Sequence, residues 1–275
     1  MACFWLSLSQ DCQVAGKNRK QGAHMKVGKG KQLMRWMVGT LLATVGSAAL
    51  AAWTFDNTAT WAGSSTNTSA TAKQGTVTAK ASAFSVSNTV TTFNSGTQFS
   101  KATLASWGSS GMGVYSGSDD GSPQHAIDNS GRTDMVLVKF SDLVSLTSVN
   151  LGWVSGDADF TVLRYTGSNP IASNGSLNYA GWTQVTNVNT STAGDKSLGN
   201  STGYSSWWLI SAYNTGFGGA SNGAGMGNDF FKLASLSGVV YVPPPTTQVP
   251  EPASLALMGV ALLGVVTARR RRKSA

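Results

Sequence analysis

Residues 133–141 read TDMVLVKFS, and residues 146–154 read LTSVNLGWV. The first is a short, nearly continuous apolar run, the pattern of a strand buried on both faces. The second alternates, which would put Val149, Leu151 and Trp153 on one face of a strand. Working outward, the same period of two recurs. ADFTVLRYTG (158–167) sets Phe160 and Val162 against Thr161 and Leu163 on the opposite face. GWTQVTNVN (181–189), SSWWLISAYN (205–214) and DFFKLASLSGVVYV (229–242) follow, and GTVTAKASAFSVSNT (75–89) alternates weakly upstream. Gly/Asn/Asp/Ser clusters such as SGDAD, TGSNP and NTGFGGASNGAGMGND punctuate these runs as turns. Many short strands at close spacing predict an all-β fold, a single antiparallel β-sandwich of jelly-roll type over residues 75–242. Residues 52–74 are expected to be a polar, edge-like lead-in. No stretch between 53 and 240 has convincing helical spacing beyond a single turn within 170–182, and no internal repeat is present.

The net charge of +8 invites a nucleic-acid reading, but its distribution excludes one. Residues 1–51 hold seven cations and one acid, and Arg269, Arg270, Arg271, Arg272 and Lys273 add five cations at the other end. The 8 cations and 11 acids left between 52 and 268 make the middle mildly acidic. The N-terminal charges flank an apolar stretch that ends in a small-residue A-x-A site at Ala49-Leu50-Ala51. This is the pattern of an exported chain's signal peptide, 25–51, forming an N-terminal signal helix cut before Ala52. Its partners would be the Sec translocon and signal peptidase. A signal of ordinary length starts at Met25, so residues 1–24 are expected to be an over-extended start. Both cysteines, Cys3 and Cys12, fall in that segment. The exported domain would then have neither disulfides nor thiol chemistry and would rely on packing.

Residues 243–249 read as a Pro-rich, extended spacer. After it come Pro250, Glu251 and Pro252, then sixteen uncharged residues, 253–268, then the basic cluster. As a helix those sixteen would span ~24 Å at ~1.5 Å per residue, short against a hydrocarbon core of about 30 Å. Snorkelling flanks would let such a helix cross, with the cations staying cytoplasmic.

Motif, short apolar helix and basic stop, in this order, resemble the PEP-CTERM sorting domain of Gram-negative bacteria over residues 250–273. The resemblance implies recognition by exosortase, a membrane-embedded transpeptidase-like enzyme, at Pro250, Glu251 and Pro252. It also implies a membrane helix, transient or permanent, and a chain placed at the cell surface or released. SPQHAIDNSGRTDMVLVKFSDLVSLTSVNLGW and the strands after it are similar to exosortase-dependent surface proteins that carry one β-rich ectodomain ahead of such a tail. For those, a link to exopolysaccharide and biofilm is expected.

Chemistry-bearing residues are sparse. His125 and Asp128 could enter a Ser-His-Asp set on paper, but no G-x-S-x-G elbow is present, so the chain is expected not to be an enzyme. His125 reads better as a loop-to-strand tie. The acids at Asp119-Asp120 and at Asp157 and Asp159 are oxygen-rich turns. Calcium, at Asp157 and Asp159, is the cofactor they could take, though neither loop supplies six to eight oxygens alone. The glycine-rich 216–229 stretch lacks a following helix and so reads as a flexible loop rather than a phosphate cradle. Adjacent Trp207 and Trp208 should point to opposite sheet faces. One ring would be core, and the other either lies under a covering loop or is left as a stacking platform for sugars. A carbohydrate-binding or adhesive module is therefore the second reading, and a secreted hydrolase the third.

Overall fold

The computed structural model describes residues 50–63, 67–117, 125–199, 202–244 and 252–272. The chain opens with β1 (Leu50–Thr54), β2 (Thr60–Ala62), β3 (Ser69–Gln74) and β4 (Val77–Ser87). It continues through β5 (Gln98–Lys101), β6 (Thr103–Ser106), β7 (Met112–Tyr115) and β8 (Ile127–Asp128) to the long β9 (Arg132–Val154). Then come β10 (Phe160–Tyr165), β11 (Leu177–Asn178), β12 (Trp182–Val188), β13 (Gly194–Ser197), β14 (Ser205–Ala212) and β15 (Phe230–Val240). A single α-helix, α1 (Pro252–Arg272), closes the described chain.

The all-β expectation holds, and every strand pair is antiparallel. In place of two separate sheets stands one fifteen-stranded sheet, with a main path β11-β5-β4-β9-β14-β10-β12. Strand β9 makes the sheet curl. Its first half pairs with β4 and β14, and its second half with β15 and β13. The exchange of partners falls at Ser141, Asp142 and Leu143, which are exposed. Val136, Val138 and Phe140 from the first half share one core with Val144, Leu146, Val149 and Leu151 from the second. Both halves can face one core only if the sheet folds around it.

Alternation along β9 builds a second core on the outer face. Met135 and Leu137 join Phe84, Phe99, Leu163 and Leu209 there. Loop aromatics seal it: Phe93 meets Phe99 at 5.2 Å and Phe217 at 4.8 Å between ring centroids, both edge-on. TDMVLVKFS is thus a strand buried on both faces, as its unbroken apolar run requires.

Three expectations need correction. The supposed lead-in at 52–74 carries β1 to β3 and gives Trp53 and Phe55 to the inner core, because β1 adds to β15 from Leu50↔Val239 to Thr54↔Ser235. The segment 170–182 holds β11 and turns instead of a helical turn. Trp153 does not share the face of Val149 and Leu151. Register shifts in the β9–β15 pairing, one of them between Lys232 and Leu233, rotate it to the other side, opposite Lys232. A close approach explains one glycine: a Cβ at Gly113 would collide with the His125 backbone carbonyl.

Candidate functional site

The strand ends at one edge of the sheet gather three acids that are far apart in sequence. Asp157 and Asp159 lie just before β10, and Asp229 just before β15. A bridge joins Asp157 to Asp229, and Phe230 N donates to Asp157 O at 2.8 Å. One carboxylate oxygen from each residue lies within 4.8 Å of the others. Asp159 and Asp229 are buried and Asp157 is half-buried. Asp157 lines a shallow cavity of about 670 Å³ together with Ser155, Asn189 and Asn228.

All six carboxylate oxygens already accept a hydrogen bond. Asp159 takes Thr190 N and Gly225 N, each at 2.8 Å. Asp229 takes Asp159 N at 2.7 Å and the Asn129 side-chain amide. Asp157 takes Ala158 N at 3.0 Å and Asn228 Nδ2 at 3.1 Å. Buried Asn129 completes the knot by accepting from Gly227 N at 2.9 Å and Asp229 N at 3.1 Å, and by donating to Tyr213 O at 2.9 Å. The glycine-rich 216–229 segment is therefore tied down. Asn187 adds bonds to Gly218 O and Ala220 O at 3.1 and 2.9 Å. The expectation of a free loop fails because the asparagines and acids that anchor it come from other turns.

The electrostatics show a cluster short of positive charge. Burial pushes the Asp229 carboxyl up to about 8, with the neighbouring Asp159 and Asp157 charges adding to the rise. Burial also raises Asp159, against hydrogen bonds from Gly225 and Thr190 that hold it down. A proton on Asp229 would relieve the repulsion, and so would a hard cation. Each oxygen keeps a lone pair beyond its hydrogen bond, so Asp157, Asp159 and Asp229 fit calcium by charge and donor type. They supply three of the six to eight oxygens it needs.

Trp207 and Trp208 do point to opposite faces, as adjacent strand residues must. Neither is a platform, however. Trp208 is fully buried in the inner core and donates to Val144 O and Ser205 O, both at 3.2 Å. Trp207 is 8 % exposed in the outer core and donates to Ser168 O at 3.0 Å, with Lys139 Nζ 4.8 Å from its ring centre. The exposed indole is instead Trp107, at 39 %. Lys232 Nζ sits 4.4 Å from its ring and 3.9 Å from that of Trp153. His125 packs its ring edge-on against Tyr115 at 5.1 Å, and its buried Nδ1 has no hydrogen-bond partner. Asp128 Oδ1 accepts from Ser130 N at 2.9 Å. The loop-to-strand hydrogen bond expected of His125 is not among its contacts.

At the C-terminus, α1 begins at Pro252 and runs through Arg269, Arg270, Arg271 and Arg272. Pro250, Glu251 and Lys273 lie outside the described residues, as do Asp119, Asp120, Ala49 and all of the expected signal helix except Leu50 and Ala51, which are strand. Ala51 lies within β1, so a cut before Ala52 would leave three of that strand's five pairings with β15. Helix α1 is exposed on every side: Leu257 at 76 %, Val260 at 67 %, Leu263 at 67 %. No helix among the described residues is long and apolar enough to cross a membrane. Residues 248–272 are a PEP-CTERM protein-sorting motif. No curated protein and no solved structure matches the chain. The PEP-CTERM motif marks an exported, surface-associated protein with exosortase as the enzyme that recognises it.

Sequence reasoning reached Asp157 and Asp159, and Asn129 as a residue able to tie a turn, but missed Asp229. A signal was present. Both ADF at 158–160 and NDF at 228–230 put an aspartate directly before a Phe-led strand. Phe160 and the following Phe231 pack 5.8 Å apart in the inner core.

Proposed function

We propose that this is a non-enzymatic surface or matrix protein whose β domain is the working part and whose PEP-CTERM tail is a disposable address. The bare apolar surface of α1 carries this reading. From Ala256 to Ala268 it is uncharged and exposed, which makes sense as a segment handed to a membrane-embedded enzyme. The helix would lodge briefly in the bilayer, its arginines on the cytoplasmic side, and hold Pro250-Glu251-Pro252 at the outer interface. The domain would then act outside the cell in association with exopolysaccharide. Its histidine packs among aromatic rings, and the clustered acids Asp157, Asp159 and Asp229 are hydrogen-bonded to backbone and asparagine amides, which supports binding and scaffolding over catalysis.

Mass spectrometry of the exported protein's C-terminus, with fractionation against extracellular polysaccharide, tests this. The expected product ends near Pro250 and co-fractionates with polysaccharide. A surface protein that retains Arg269–Arg272 would make the tail a permanent anchor. A protein that washes free of polysaccharide would remove the matrix role.

A further inference from the structure

Four of the eight cations between residues 52 and 268 stand on one face of the sheet: Lys73 on β3, Lys80 on β4, Lys101 on β5 and Lys139 on β9. Register puts them there. Ala70, Ala72, Ala79, Ala81, Val138 and Phe140 fill the inner core, so the residues alternating with them face out. All four lysines are exposed. Strands β3, β4 and β5 carry no acid at all. Of the two acids on β9, Asp134 shares the inward-facing parity of Val136, and Asp142 lies beyond Ser141, from which it accepts a hydrogen bond. Lys80 and Lys139 are direct cross-strand partners, a like-charge pairing that costs stability. Lys139 relieves part of it by leaning over Trp207. Lys80 has no such partner among the described residues.

Beside Lys80 the sheet forks. Strand β3 leaves β4 after Ala70↔Ala81, and β5 joins the same edge at Phe84↔Lys101. The fork opens a cleft of about 660 Å³ between Lys80 and Lys101, with Ser69, Ser82 and Thr103 hydroxyls in its walls and Phe84 on its floor. That volume lies in the ordinary range for a small-ligand site, ~300–1,000 Å³. The far rim is a turn in which Gly175, at φ +83°, leaves Lys101 its place. A Cβ there would come within 2.7 Å of the lysine Nζ.

We propose that this cleft binds an acidic polysaccharide, with the Lys80 and Lys101 ammonium groups pairing with sugar carboxylates. The serine and threonine hydroxyls would meet the ring hydroxyls. Two cations held apart across a hydroxyl-lined trough match a chain of repeating anionic sugars better than one compact anion. This inference rests on the matrix role proposed above and names its ligand class.

The test is calorimetric titration of the exported protein with an alginate oligosaccharide, a polyuronate, against neutral dextran. Anionic phosphatidylglycerol vesicles form a third arm. Native protein is expected to bind the polyuronate, weakening as salt rises, and to ignore dextran. Lys80→Ala with Lys101→Ala should weaken polyuronate binding roughly tenfold or more, the scale of about 1.4 kcal/mol per decade, without lowering the melting temperature, since Lys80→Ala also relieves the like-charge pair with Lys139. Lys196→Ala, a half-buried lysine on β13 bonded to Thr192, should bind like the native protein. Unchanged binding in the double variant, equal binding of dextran, or preference for vesicles overturns the assignment. The two proposals fail separately. A native protein that co-fractionates with polysaccharide while the double variant does too loses only the cleft. One that never co-fractionates loses the matrix role.

Discussion

Strand β9 and helix α1 are both rich in valine and leucine, and they treat those residues in opposite ways. Val136, Leu137 and Val138 are at most 1 % exposed, whereas Leu257, Val260 and Leu263 stand 67–76 % exposed. In β9 the chain supplies its own cover, from β14 and β15 within and from loop aromatics without. In α1 residues 256–272 stand exposed, a surface that the proposed sorting role would hand to a bilayer or to the enzyme that reads the motif. The domain's apolar residues therefore carry stability and the tail's carry destination. Mutations in the two regions should separate cleanly along that line.

The largest effect belongs to the inner core. Trp208→Ala removes a fully buried indole and both of its hydrogen bonds. It should cost about 3–5 kcal/mol in chemical denaturation, the range for large aromatics cut to alanine. Leu263→Ala in α1 should leave the same unfolding curve unmoved. If the two shifts were alike, the contrast between self-covered and partner-covered apolar surface would collapse.

Next comes the knot beneath the glycine-rich loop. Asn129→Ala strands Gly227 N, Asp229 N, Tyr213 O and a carboxylate oxygen in a buried setting. A loss of about 2–4 kcal/mol is expected, since each stranded buried group costs about 1–3 kcal/mol and some will find water. Hydrogen exchange should quicken across 216–229 before it does in β9. Uniform loss of protection would mean that the loop is not a separate unit held by this one side chain.

A further effect appears as a pH dependence. The folded Asp229 carboxyl titrates near 8, against 3.8 for an ordinary aspartate. Between those values the native state holds a proton that the unfolded chain has released. Stability therefore falls as pH rises through that window, and the loss is complete above the folded value. Asp159, also raised by burial, acts in the same direction. In cation-free buffer the melting temperature should decline from about pH 5 to about pH 8, and Asp229→Asn should flatten the decline. Calcium should restore stability chiefly at the alkaline end, where the three carboxylates are charged. Chelation that leaves the alkaline melting temperature unchanged removes the cation reading.

How much of this was legible in the sequence follows the same divide. Where the chain covers itself regularly, period two predicted the outcome: Phe160 and Val162 inward, Leu163 outward, Trp207 and Trp208 on opposite faces. It failed where pairing breaks register. Trp153 was misplaced because a bulge cannot be seen from alternation in one strand alone. The lead-in was misjudged because β1 takes its pairing from β15, over 170 residues away. Asp229 escaped for a similar reason, since a cluster assembled from turns 70 residues apart has no local spacing to read. The sorting motif in the tail was legible, because its order of motif, helix and cations is linear and needs no tertiary partner to be recognised.

The smallest stability effect is therefore expected in the motif itself, where the functional effect should be greatest. Glu251 is the only glutamate in the chain. It stands between two prolines that withhold two N–H donors, so the motif offers a reader one carboxylate. Glu251→Gln keeps the shape and removes the charge. If exosortase reads that charge, the exported protein should keep its C-terminal arginines while melting within about 1 °C of the native domain, a shift well below the ~4 °C or less that 1 kcal/mol produces at this size. Mass spectrometry of the C-terminus and a thermal melt decide it together. Normal processing of the variant would shift recognition to the prolines and the helix, and a lowered melting temperature would mean that the domain does use its tail.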